Sequence, residues 1–156
     1  MATSANNDPI FISQHVHWDA ELNNQVFTRS GGALGTTAPV LLGTAGDNGG
    51  VISSVSVEVS GNAAANVCVL YSLRSGATAV RKRAEVSLPA VTGSNTSSAL
   101  AGYAVHFVLP DYEPFEGCVV ELLRLEAKES LYVALLQAEV TSKFTVHATG
   151  GLYDPT

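Results

Sequence analysis

Charge is scarce in this chain and positive charge scarcest: 14% of the residues are charged, with 8 Lys and Arg against 14 Asp and Glu. Nucleic-acid binding rests on neutralising a row of phosphates, which takes a basic stripe. The formal charge here is −6 and the one dense basic run is Arg81-Lys82-Arg83, so no direct nucleic-acid partner is expected. Cysteine is nearly absent. Cys68 and Cys118 lie far apart, each inside an apolar run, which excludes a disulfide framework or a cysteine zinc site and predicts two buried thiols. No segment reaches the roughly 18 uninterrupted apolar residues of a membrane-spanning helix. The opening stretch from Met1 to Pro9 has neither a basic nor an apolar leader region, so the expectation is a soluble protein made in a cytosol.

What is present is apolar and small. At 156 residues, 46% of them hydrophobic and many of these Ala or Val, the chain is long enough to form one domain around one core without covalent staples. So few charges leave too little polar cover for the outside of a monomer. An oligomer is expected.

Residues 1–18 read as an N-terminal arm and 19–156 as a single all-β domain. Met1 to Pro9 is Ser/Asn/Ala-rich and ends in a proline that a central strand does not accept. Ile10, Phe11, Ile12, Val16 and Trp18 then form a short apolar segment suited to docking in a partner's groove. From Pro39 onward strands alternate with turn signals: Val40 to Thr44, Gly50 to Ser60, Asn66 to Ser75, Thr78 to Leu88, Ala101 to Leu109, Val119 to Glu126, Leu131 to Gln137 and Lys143 to Thr149. Eight such runs predict an antiparallel β-sandwich or jelly roll. The cleanest alternation sets Val55, Val57 and Val59 against Ser54, Ser56, Glu58 and Ser60, so one face is buried and the other wet. The run from Val119 to Leu131 favours helix by intrinsic propensity. Two strands joined at Ala127-Lys128-Glu129-Ser130 fit the β-type neighbours better. Val91 to Ser98 reads as an exposed Ser/Thr-rich loop.

The chemistry-bearing residues form no complete site in one dimension. His15, His17 and Asp19 have the i, i+2 spacing that puts side chains on one face of a strand, a start towards a metal site. No further ligand arrives at matching spacing, so no metal or cofactor is assigned. His106 and His147 read as hydrogen-bonded sheet histidines. No Gly-x-Ser-x-Gly elbow is present, and the expectation is a protein that is not an enzyme. Asp111, Glu113 and Glu116 flank Tyr112 and Phe115 in a segment with two prolines and a glycine. Surface loop is the first reading, and Asp111, Tyr112, Glu113 and Phe115 form a candidate protein or sugar contact. Gly43 to Gly50 is a turn, since it lacks a phosphate-loop lysine and the downstream Glu of a calcium loop. Asn95-Thr96-Ser97 matches a glycosylation acceptor by chance.

The stretch from Leu41 to Gly76, LLGTAGDNGGVISSVSVEVSGNAAANVCVLYSLRSG, resembles the β-sandwich structural proteins of tailed bacteriophages. In it a strand leads through an Ala-Gly-x-Asn-Gly turn to a Val/Ile/Ser strand, an Asn/Ala turn and a strand ending in Ser-Gly. Glu129 to Val133 and Thr149 to Asp154 are similar to the last strands of such modules. With no repetitive shaft, the chain is most like a capsid decoration, or cement, protein. That resemblance implies a homotrimer on the virion surface, bound to the major capsid protein and stabilising the shell, with no catalytic residues. A second class is a carbohydrate- or receptor-binding virion module using Tyr103, Tyr112, Phe115 or Trp18 as an aromatic platform. A third is an intracellular jelly-roll enzyme, which would need a metal at His15 and His17.

Overall fold

A computed structural model of the chain describes residues 12–22, 24–35, 39–91, 102–115, 117–139 and 142–153. They form two antiparallel sheets packed face to face, so the predicted all-β sandwich is what is observed. In chain order the strands are β1 (Ile12–Leu22), β2 (Gly31–Ala33), β3 (Val40–Thr44), β4 (Gly50–Ser60), β5 (Asn66–Leu73), β6 (Ala79–Leu88), β7 (Gly102–His106), β8 (Asp111–Phe115), β9 (Cys118–Leu125), β10 (Ser130–Leu135) and β11 (Lys143–Tyr153). One sheet runs β1-β11-β4-β9-β8, with β7 also on β4, and the other runs β2-β6-β5-β10-β3.

Alternation places the core between them. Val55, Val57 and Val59 of β4, Phe144, Val146 and Ala148 of β11, and Leu123 and Leu125 of β9 point inward from the first sheet. Cys68 and Leu70 of β5 and Leu131, Val133 and Leu135 of β10 meet them from the second. Fully burying each large apolar side chain contributes about 1.5–3 kcal/mol, and this layer dominates folding. The outer face of the second sheet is also covered: the chain between β1 and β3 lays Phe27 and Leu34 over Val69, Tyr71, Val80 and Ala134. There Phe27 meets the edge of Tyr71 with ring centroids 5.5 Å apart, and the Tyr71 hydroxyl donates to the Thr28 carbonyl at 2.9 Å.

The turns follow local chemistry. Gly49 sits at φ 79° and an added Cβ would stand 2.3 Å from the Leu125 carbonyl oxygen, so both backbone and space require glycine after Asp47-Asn48. The join between β9 and β10 falls at residues 126–129, where Lys128 takes φ 58°. Its buried neighbour Glu129 accepts the Glu126 N–H at 2.8 Å and lies 3.5 Å from the Arg83 guanidinium.

Three expectations are corrected. β1 begins at Ile12 and pairs with β11 along its length, so residues 12–18 of the expected arm are a sandwich strand. Val16 and Trp18 pack against the core from it, and Ile10 and Phe11 lie outside the described residues. The expected loop around Tyr112 is strand β8, hydrogen-bonded to β9. Its Pro114 is tolerated because β8 is an edge strand with one neighbour. Cys68 is buried, its thiol pushed up to about 12 by desolvation, but Cys118 is exposed at the start of β9. The Ser/Thr-rich loop and Asn95 fall largely outside the described residues.

Candidate functional site

The outer, solvent-facing side of the first sheet collects the chain's polar chemistry. On β1, Val16, Trp18, Ala20 and Leu22 turn inward, so His15, His17, Asp19 and Glu21 turn outward. Phe144, Val146 and Ala148 of β11 face the core, which leaves Thr145, His147 and Thr149 outside. Register then aligns the rows. Asp19 pairs with His147, His147 with Ser56 of β4, and Ser56 with His106 of β7. Directly opposed residues share a face, so all four histidines of the chain project from one surface.

Three of these residues converge. His17 Nε2 lies 3.0 Å from Asp19 Oδ1, and His147 Nδ1 lies 2.5 Å from the same oxygen. The other nitrogen of His147, Nε2, is 3.4 Å from Glu58 Oε2 on β4. The two imidazole rings stand 5.8 Å apart between centroids with a 31° tilt. His17 and Asp19 are about half exposed and His147 is 31% exposed, so the cluster is open to solvent but backed by the sheet. One imidazole thus sits between two carboxylates held by different strands. His15 and His106 share the face without joining this contact set.

The second polar concentration is the basic run on β6. Its residues are largely neutralised: Lys82 Nζ is 2.9 Å from Glu85, while Arg83 reaches Glu129 at 3.5 Å and Asp111 at 3.6 Å. The Lys82 hydrogen bond, together with Arg29, holds the Glu85 carboxyl below its ordinary range. Arg74 and Arg81 join Lys82 and Arg83 around an open surface depression of about 460 Å³, and Arg74 pairs with Glu126.

The predicted contact residues separate into engaged and free ones. Asp111 accepts the Arg124 backbone N–H at 2.8 Å and Glu113 lies 3.5 Å from the Arg124 guanidinium. Tyr112 is 59% exposed. The backbone of Phe115 pairs with Cys118 at the hairpin end. Trp18 is applied to Gly43, where an added Cβ would fall 2.0 Å from the indole, and Tyr103 packs on the core with its hydroxyl 2.6 Å from the Pro89 carbonyl. Burial raises the Tyr103 phenol above its ordinary pKa. Trp18 and Tyr103 therefore serve packing rather than an aromatic platform.

No protein family and no curated protein matches this chain. The reading of its role accordingly rests on its own surface.

On that surface the β8–β9 hairpin stands out. Leu123 and Leu125 face the core at 0% and 4% exposure, and the same face of β9 continues through Glu121 to Val119, which is 67% exposed. Tyr112 lies opposite Glu121 on that face. Val120, on the reverse side, is 44% exposed. An apolar face that is core at one end runs out uncovered at the other. Sequence reading named Tyr112 as a contact residue and Val119 as the start of a strand, but Pro110 and Pro114 masked β8 and with it the face the two residues share.

Proposed function

We propose that this protein is a non-catalytic structural module that attaches to a larger protein assembly through the β8–β9 hairpin. Following the resemblance of Leu41 to Gly76, we take that assembly to be the outer surface of a phage capsid, which the protein decorates as a homotrimer and stabilises. The observation that carries the reading is the pair Tyr112 and Val119, both exposed on one face of an edge hairpin. Edge strands and apolar side chains left in water are natural contact elements, since a partner can supply both backbone pairing and cover. Completing the burial of these two side chains would contribute a few kcal/mol per chain, and three chains binding together multiply the effect through effective concentration. Attachment through this hairpin replaces the N-terminal segment as anchor, because Val16 and Trp18 are already used in the core.

The test is co-sedimentation of the full chain with purified shells assembled from the major capsid protein of the same genome. Wild-type protein is expected to pellet with the shells and raise their resistance to heat, whereas Val119→Asp with Tyr112→Ser remains in the supernatant while still folded by circular dichroism. Wild-type protein that stays behind, or variants that bind equally well, would defeat the proposal. Binding to a glycan array in the absence of shell binding would transfer the hairpin to the receptor-binding reading. Light scattering that reports a monomer at micromolar concentration would remove the trimer.

A further inference from the structure

We propose that His17, Asp19 and His147 form a binding site for a divalent transition ion of the zinc type, with Glu58 orienting His147 from behind. This inference is independent of capsid attachment. It stands on a juxtaposition: one ligand atom from each of the three side chains lies within 4.8 Å of the others, on two adjacent strands. Zinc bound tetrahedrally holds nitrogen and oxygen ligands at about 2.0–2.2 Å, which places the ligand atoms roughly 3.4 Å from one another. The separations of 3.0 Å and 2.5 Å to Asp19 Oδ1 are both shorter than that spacing, so the ligand atoms have to move apart by less than about 1 Å to admit the ion. Small rotations of exposed side chains, with the strands unmoved, bring the three atoms to it. Solvent exposure of His17 and Asp19 leaves the fourth position to water.

Donor chemistry selects the ion. Two imidazoles and one carboxylate suit zinc, nickel, cobalt or copper, whereas calcium and magnesium call for more oxygen ligands. Glu58 supplies a second observation pointing the same way. With His147 Nδ1 directed at the ligand set, its Nε2 faces Glu58 Oε2 at 3.4 Å. A metal-bound histidine typically donates its other N–H to such a carboxylate, which fixes the tautomer and strengthens the ligand. Other ionisable groups facing the cluster from its neighbours are His15 and Glu21 of β1 and His106 of β7. They lie on the same sheet face, outside the contact set. A bound ion would fasten the edge strand β1 to β11.

The experiment is calorimetric titration of ZnCl2 into the full chain after dialysis against chelator, near neutral pH. One ion per chain is expected. His17→Ala, Asp19→Asn and His147→Ala should each abolish the heat, and Glu58→Gln should weaken binding about 10- to 100-fold. His15→Ala and His106→Ala should bind as wild type does. A dissociation constant above about 1 mM for the wild type, or equal binding by His147→Ala and His106→Ala, overturns the site. Circular dichroism of each variant separates lost ligation from lost fold. Cobalt substitution gives a second readout, since tetrahedral coordination produces intense visible bands that must vanish in His147→Ala.

Discussion

Gly43→Ala tests whether residues 12–18 belong to the sandwich. Gly43 lies on β3, the edge strand of one sheet, and Trp18 on β1, the edge strand of the other, so their contact closes the sandwich along one side. A methyl group at position 43 would stand 2.0 Å from Trp18 Cδ2 and 2.4 Å from Cε2 and Cε3, about 1.4 Å short of ordinary contact. Neither partner can retreat freely. Gly43 is held in the ladder with Leu131, and Trp18 in the ladder with Ala148. Overpacking of this kind costs about 1–3 kcal/mol. For a domain of this size each kcal/mol moves the melting midpoint by about 2–4 °C, so a fall of roughly 2–12 °C is expected. Trp18 is the chain's one tryptophan, and its emission reports the displacement directly, with a red shift as the indole is pushed towards water. Combining Gly43→Ala with Trp18→Leu should recover part of the loss, a coupling of about 0.5–3 kcal/mol between touching residues. If Gly43→Ala leaves both midpoint and emission unchanged, the indole does not rest on Gly43 and the segment is a detachable arm after all.

Other perturbations reach other layers. One thiol per chain, Cys118, should react quickly with a maleimide in the native protein, while Cys68 should react only on unfolding; two protected thiols would contradict the exposed start of β9. Tyr71→Phe should cost about 1 kcal/mol in denaturant unfolding, because the Thr28 carbonyl loses one of its two donors and keeps only the Gly31 N–H. The Tyr71 phenol is pushed up to about 12, mainly by burial, above its unfolded value of about 10. Its stabilising share is therefore complete below about pH 10 and declines as pH rises towards 12, which equilibrium unfolding of wild type and Tyr71→Phe at several alkaline pH values would resolve. Arg83→Ala should destabilise by about 1–3 kcal/mol, since it removes the cation beside the buried Glu129 carboxylate, and Glu129→Gln in the same background should restore part of it.

Much of the sandwich was legible because its strands state their faces. Val55, Val57 and Val59 alternating with Ser54, Ser56, Glu58 and Ser60 located β4 at its observed bounds, and the Asp47-Asn48-Gly49 turn before it was equally plain. The choice of two strands over a helix between Val119 and Gln137 also held, since β-type neighbours outweigh local propensity when the element must complete a sheet. β1 was obscured for a different reason. Val16, Trp18, Ala20 and Leu22 alternate with His15, His17, Asp19 and Glu21, but a polar leader and a proline precede them and drew the segment into an arm. β2 has three residues, two of them glycine, and carries almost no pattern. Half of the histidine cluster was visible as His17 and Asp19 on one strand face. The other half comes from His147, 128 positions beyond Asp19, and only the register of β1 on β11 brings it there. Exposure at Cys118 and Val119 was hidden too, because an apolar run does not say where the opposing sheet ends.

β11 is the central partner of both β1 and β4 in the first sheet, yet among the described strands it is the last in the chain. During synthesis β1 and β4 leave the ribosome early and must wait, each with one backbone edge and one apolar face unmatched, until residues 143–153 emerge. The second sheet has no such delay for β5 and β6, which pair as neighbours in sequence. Assembly should thus begin from the β5–β6 hairpin and finish at β11, with a slow, non-local closing step of the kind that lengthens folding times. Nascent chains stalled before residue 143 would hold an open sheet, and that intermediate, rather than the native protein, is where aggregation and chaperone dependence should concentrate.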